Sequence, residues 1–482
     1  MQPSQRPQRC DMQVIVLIGI AIAWSMGDPS LASHLFAPGW WTLLALGGYL
    51  LGVGLIGRAH VVLMARAFVP SADRDDRRRA AVAALAENLW LLGGSAVVLA
   101  AGEAKWVLGA RPADWPLAGT LLMLAPFIVA LLLMWMNHYR LHLLMKMQAA
   151  SVRRDLPAPV TWTRGQFIAF NVRTHLLMIL VPVSAIIFAN DLLAMAYPHL
   201  PESIAEEVRA VGVIASVGGV FLLAPLMIVR IWRTSPLEDC ALLGGLAEMC
   251  RRLHLRYRRI LVWRSNGVLV NAGVMGLIAP VRYILLSDGL LEQMPPEQIK
   301  AVFAHEAGHV IYHHIFYSGL FMVVTALWLG LGEQVAGPVL GLTGWQGELA
   351  ALPVLVAAWW LGFGWLSRRF ERQSDVVAAR LISLPADQHG GDADLTITSQ
   401  GAVAFAQSLE SVARLNGIPP RRFNWRHGSI AARIEYILSL AASGGSSERI
   451  DRLVRRVKLG LWSALLAGLL LATVATILGN RS

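Results

Sequence analysis

Nine stretches of this chain are long, apolar and nearly free of charge, and no other feature restricts its architecture as much. They run over 14–24, 40–57, 80–101, 117–136, 167–189, 211–229, 315–331, 349–366 and 459–479. Hydrocarbon offers a backbone no water to bond, so a spanning segment must close its own hydrogen bonds, and a helix of about 20 residues does so across roughly 30 Å. The expected fold class is mostly α: a polytopic membrane protein with about nine transmembrane helices, carrying a small cytoplasmic α+β domain. Composition agrees, with 56% hydrophobic and only 15% charged residues, against about 25% charged in soluble domains. The first run is short enough for a signal-peptide core, but no small-residue cleavage site follows, so an uncleaved span is expected. Glu87 in the third run, and Asn171, Arg173 and His175 at the start of the fifth, mark either a polar cavity or the end of a span.

Charge orients the spans. The segments before the first run, over 58–79 and over 137–166 hold two, six and five Arg or Lys residues, whereas 27–39, 102–116 and 190–210 hold none, two and one. The positive-inside rule then places the N-terminus in the cytoplasm, at the inner membrane if the source is bacterial. The net charge of +11, from 42 basic and 31 acidic residues, is read as this loop bias and not as a nucleic-acid surface. Three scattered cysteines, Cys10, Cys240 and Cys250, form no disulfide framework and no metal pair. The expected organisation is an N-terminal membrane region at 1–231, a cytoplasmic α+β segment at 232–314, a helical hairpin at 315–366, a second cytoplasmic segment at 367–458 and a last span at 459–482. Short strands are expected at 260–263, 268–275 and 283–286, and helices at 236–255, 400–416 and 428–442.

The first cytoplasmic segment ends in His-Glu-Ala-Gly-His, residues 305–309. Positions i and i+4 share a helix face, so His305 and His309 can address one metal ion while Glu306, one step round, reaches a water beside it. Pro295 and Pro296, Glu297 in the first turn, and apolar Ile299, Val302, Phe303 and Val310 predict a helix over 296–314. Two such histidines also arise by chance on amphipathic helices, and a catalytic zinc takes three protein ligands plus a position for water. Of the downstream carboxylates, Glu333 and Glu348 fall at the far turn of the hairpin, about 30 Å away. Glu371 follows the returning span and is the expected third ligand, unless it merely joins Arg368, Arg369 and Arg372 in an interfacial charge cluster. Asp375, one turn on, is expected to accept a hydrogen bond from a ligand imidazole. His313 and His314 lie too far along a straight helix to bind the same ion and are read as interface residues.

These motifs, HEAGH at 305–309, SRRFERQSD at 367–375 and HGSIAARI at 427–434, preceded by NAGVMGLIAPVRYILLSDGLLEQM at 271–294, resemble those of the type I CAAX prenyl endopeptidases and HtpX-like membrane proteases. The resemblance covers 236–440. It implies an integral-membrane zinc endopeptidase with one Zn2+ per chain on His305, His309 and Glu371, and with Glu306 as general base. It also implies His427 and Arg433 near the substrate carbonyl, and a strand at Asn271 and Ala272 that pairs with the substrate backbone. Ser374 stands where that family usually has Ala, Gly428 where Pro is common, and Gly273 where a bulky residue often follows Asn-Ala. The expected partners are protein or peptide substrates at or in the bilayer, and no nucleic acid; oligomeric state is not legible. The competing readings are a non-hydrolytic zinc-containing scaffold or chaperone, and a transporter. An intact Glu306 weighs against the first, and the lack of a paired acid–base chain in the spans against the second.

Overall fold

The computed structural model describes residues 39–67, 74–99, 117–152, 162–197, 201–267, 269–341, 347, 353–383, 396–446 and 448–479. Among them, seven helices are long and apolar enough to cross a membrane: Trp40–Ala67, Arg78–Val98, Ala118–Leu144, Arg164–Ala196, Val211–Ile231, His314–Gln334 and Glu448–Ala475. The first expected span, 14–24, lies outside the described residues. The eighth, 349–366, is described from residue 353 and is helical there, with a π-turn at Ala358–Phe363. The chain divides into two compact units, Met1–Arg233 and Thr234–Ser482.

The first unit is helical throughout its described residues: α1 (Trp40–Ala67), α2 (Arg74–Val98), α3 (Ala118–Val152), α4 (Arg164–Asn171), α5 (Met178–Ala196) and α6 (Glu202–Ile231). Its core joins Tyr49 and Val53 of α1, Leu91 of α2, and Phe127, Leu131 and Trp135 of α3. Two polar side chains of this core bond backbone carbonyls, as hydrocarbon surroundings favour: Tyr49 donates to the Leu91 carbonyl at 2.9 Å and Trp90 to the Tyr49 carbonyl at 3.0 Å. Leu43, Leu55, Leu89 and Ile214 point outward and exposed, the inverse of a soluble bundle and the expected face toward lipid. Asn171, Arg173 and His175 fall at a π-turn, Val172–Leu177, between α4 and α5.

The second unit begins with a four-stranded sheet in the order β1-β2-β4-β3, where β1 is Thr234–Pro236, β2 Arg259–Trp263, β3 Ala272–Met275 and β4 Tyr283–Ser287. β2 and β4 run parallel, and β1 and β3 are antiparallel edges. The three-residue β1 is too short to leave an alternation in the sequence. α7 (Cys240–Arg252) connects β1 to β2, and α8 (Asp288–Gln293) leads from β4 into α9 (Pro296–Ile311). Ile299, Phe303 and Ala307, four apart on α9, join Ile260, Val262, Ile284 and Leu286 of the sheet and Leu246 of α7 in one core. Ala301 and Ala304, on the other face of α9, join a second core with Leu366, Phe370, Phe405 and Ile437. Those residues belong to α11 (Gly364–Ser383), α12 (Ser399–Leu415) and α13 (Ile430–Ala442). α9 is therefore a wall shared by two cores.

The expected helix over 296–314 does not run through. α9 closes at Ile311, Tyr312 and His313 turn, and α10 (His314–Leu340) sets off afresh. His313 has φ +56°, a left-handed conformation that costs a non-glycine residue about 1–2 kcal/mol. Tertiary contacts offset it. Lys458 of α14 (Glu448–Gly479) donates to the Tyr312 carbonyl at 2.6 Å, a cation at a helix C-terminus where carbonyls lack intrahelical donors. No glycine or proline marks this break, so periodicity alone read straight across it.

Candidate metal centre

α9 carries His305 and His309 on one face, one turn apart, and α11 crosses it closely enough to bring a carboxylate to them. The closest approach is at Gly308, where a Cβ would stand 3.0 Å from the Ser374 Cα. With that contact made, the Glu371 carboxylate lies 3.6 Å from Nε2 of His305 and 3.5 Å from Nε2 of His309, and the two nitrogens are 3.3 Å apart. A tetrahedral zinc with bonds of about 2.0–2.2 Å sets neighbouring ligand atoms roughly 3.3–3.5 Å apart. The donor triangle of two nitrogens and the carboxylate, whose Oε2 faces His305 and whose Oε1 faces His309, therefore suits such an ion in spacing and in chemistry. Glu333 is not part of this group, and Glu348 lies outside the described residues.

The surrounding hydrogen bonds dictate which imidazole nitrogen carries a proton. Asp451, at the start of α14, accepts from Nε2 of Gln373 at 2.7 Å. That leaves Oε1 of Gln373 to accept from Nε2 of His314 at 3.0 Å. His314 then offers a lone pair at Nδ1, and Nδ1 of His309 donates to it at 3.0 Å. Nε2 of His309 is left as a lone pair directed at the donor triangle. The counterpart on His305 is Asp375, whose Oδ1 lies 2.8 Å from Nδ1 and keeps the proton on that side. His314, read from sequence as an interface residue, is thus part of the centre. The break at His313 turns it back, and it stacks flat on Phe370 at 4.1 Å.

Arg433 and His427 close the far side of the carboxylates. Arg433 is buried, with Nε and Nη2 bonded to the two oxygens of Asp375 at 2.8 and 2.6 Å, and Nη1 3.2 Å from Oε2 of Glu371. His427 places Nδ1 2.9 Å from Oε1 of Glu371 and leaves its side chain 42% exposed. It sits in a tight loop where Asn424 and Gly428 exchange backbone hydrogen bonds, and the Asn424 side chain accepts from the amides of Arg426 and His427. Gly428 has φ +76°, which proline, locked near −65°, cannot adopt. The departure noted in the sequence is therefore tied to this loop's backbone. Asn271 precedes edge strand β3 with its side chain exposed and its backbone paired to Ser287 at 2.9 Å; Ala272 is buried in the core shared with α9.

Burial would neutralise these groups singly, and their pairing overrides it. Burial raises Glu371 and Asp375, yet His427 and Arg433 hold Glu371 well below the usual carboxylate range, and Arg433 with His305 does the same for Asp375. Burial disfavours charge on His305, but Asp375 and Glu371 outweigh it and raise its pKa to about 10. Burial pushes His309 down to about 3, against the pull of Glu371. Burial lifts Glu306 to about 7, opposed by His305 and reinforced by Glu371. The result is two ionised carboxylates facing a position that favours positive charge, beside a carboxyl group near neutrality.

Span-length helices together with a His-Glu-x-x-His helix whose histidines meet a downstream glutamate define the class of membrane metallopeptidases. Residues 242–435, less than half of the chain, match the model of Peptidase family M48, a match that supports a metallopeptidase, a hydrolase. No curated protein sequence matches the chain. Among solved structures it is similar to the crystal structure of S. mikatae Ste24p, with 14% identity and a TM-score of 0.49 over 83% of this chain and 100% of that one.

Proposed function

We propose that the protein is a zinc-dependent endopeptidase acting on membrane proteins or membrane-associated segments, with one ion at His305, His309 and Glu371. The observation that carries this reading is that two imidazole nitrogens, 3.3 Å apart on the helix that also holds Glu306, each meet an oxygen of the Glu371 carboxylate at 3.5 to 3.6 Å. A bound zinc would supply a Lewis acid and lower the pKa of a water beside it toward about 7. Glu306, raised to about 7, is matched to take a proton from the attacking water and return it to the leaving amine. His427 gives its Nδ1 proton to Glu371 and is exposed on its outer side, so in its imidazolium form it would also donate from Nε2 to the oxygen that becomes negative. Arg433, with its guanidinium committed to Asp375 and Glu371, contributes by holding both carboxylates in place. β3 has no strand partner on its outer side among the described residues, so the backbone near Asn271 and Ala272 is suited to receive an extended substrate.

In this reading the segments 232–314 and 367–458 flank the hairpin at 315–366 and face the cytoplasm, as does the N-terminus, an assignment supported by the basic loops. The test uses full-length protein in detergent, with zinc measured and cleavage of unfolded casein followed with and without chelator. Glu306→Gln is expected to keep zinc and lose at least about 100-fold in turnover. Near-normal turnover in that variant would overturn the assignment of the base. A zinc-loaded wild type that cleaves nothing would favour a scaffold, and no zinc in either protein would remove the metal centre.

A further inference from the structure

The first unit holds a second convergence of metal-binding side chains, which peptide hydrolysis does not use. His60 of α1, Glu87 of α2 and His138 of α3 each offer one ligand atom, and the three atoms lie within 4.8 Å of one another. Nδ1 of His60 contacts Oε2 of Glu87, and Nε2 of His138 reaches the same oxygen at 2.9 Å. The two rings meet edge to face with centroids 5.3 Å apart, so their nitrogens converge without stacking. His60 and Glu87 are 2% and 3% exposed, in helices of span length.

A plain hydrogen-bonded triad accounts for only part of this. Both imidazoles address Oε2, while Oε1 of Glu87 is buried and has no hydrogen-bond partner among the described residues. An unsatisfied carboxylate oxygen is costly at any buried site and more so where water is excluded. Gly57 packs directly against it: a Cβ there would stand 2.9 Å from Oε1 and 2.7 Å from Nδ2 of Asn137, so the carboxylate can take this place only because the residue is glycine. Two imidazoles and one carboxylate, with one carboxylate oxygen still unpartnered, make a borderline N2O donor set of the kind that binds zinc.

We propose that His60, Glu87 and His138 form a second metal site, which takes a divalent ion of the zinc class and ties α1, α2 and α3 together. It lies in the first unit and is independent of the centre built on His305, His309 and Glu371.

The test counts metal in the intact chain. Full-length protein is purified in detergent, equilibrated with Zn2+, desalted and analysed by mass spectrometry; a parallel sample is loaded with Co2+ and its visible absorption recorded. Glu87→Gln keeps the shape of the side chain and removes its charge. It is expected to lose one zinc per chain and the matching part of the Co2+ absorption. His305→Asn is expected to lose a different zinc, and the double variant both, so failure of either site is read separately from the other. Size-exclusion behaviour controls for folding; if Glu87→Gln does not fold, His138→Gln, at the more exposed corner of the cluster, replaces it. Equal zinc content and equal Co2+ spectra in wild type and the folded variant would overturn the proposal and leave a hydrogen-bonded triad.

Discussion

Asp451 lies three hydrogen bonds away from His309 Nδ1, yet its inability to donate propagates through Gln373 and His314 to the tautomer of a metal-binding imidazole. This chain predicts effects that proximity alone does not. His314→Phe preserves a ring against Phe370 and removes both relay nitrogens; it is expected to weaken zinc binding by about 10- to 100-fold, as loss of an imidazole's outer partner does elsewhere. Competition against a chromogenic chelator measures it, and an unchanged affinity would show that His314 only packs. Asp451→Asn is expected to act in the same direction but less, because an amide can present either a donor or an acceptor to Gln373.

At the scale of elements, the centre depends on how closely α11 crosses α9. Gly308 permits a contact that a methyl group would push back, since the neighbouring atom is the Ser374 backbone and not a movable side-chain tip. Gly308→Ala is therefore expected to cost about 1–3 kcal/mol through overpacking. It should also lower zinc occupancy by displacing Glu371 from the two histidines. Thermal unfolding and metal analysis of the same sample check both effects. Full stability and full occupancy would mean that the helices can separate without disturbing the donors. The break at Tyr312 and His313 belongs to this scale as well. It is stabilised by Lys458, 146 positions on, and it delivers His314 to His309.

At the scale of the whole molecule, α9 is shared by two cores in the second unit, and an ion held between α9 and α11 would lock those cores to each other. A ligand that binds only the folded state at a concentration of 100 times its Kd stabilises it by about 2.7 kcal/mol. For a unit of this size that corresponds to roughly 5–10 °C in Tm. Removing metal with a chelator is expected to lower the unfolding temperature by that order and to restore it on adding zinc, followed by tryptophan fluorescence in detergent. No change on chelation would show that the donors are held by their own ion pairs alone, with Arg433 as the organising cation.

Much of this protein was legible before any coordinates. Long uncharged runs have one stable solution in hydrocarbon, so the mostly helical membrane architecture follows from local composition, and seven such helices are present among the described residues. The spacing of His305, Glu306 and His309 is likewise a property of one helix. Topology was enough to prefer Glu371, because a hairpin returns the chain to the side it left. What the sequence could not reveal are contacts between residues far apart in the chain. The turn at His313 has no local signal, since its left-handed backbone is stabilised by Lys458. His314 and Gln373 acquire their roles only through hydrogen bonds spanning 59 and 78 positions. Glu87 stood out in the sequence as a charge within a span, but its convergence with His60 and His138 exists only once three helices pack. Periodicity and spacing report what a segment does by itself; which lone pair meets which proton is decided where segments from distant parts of the chain come together.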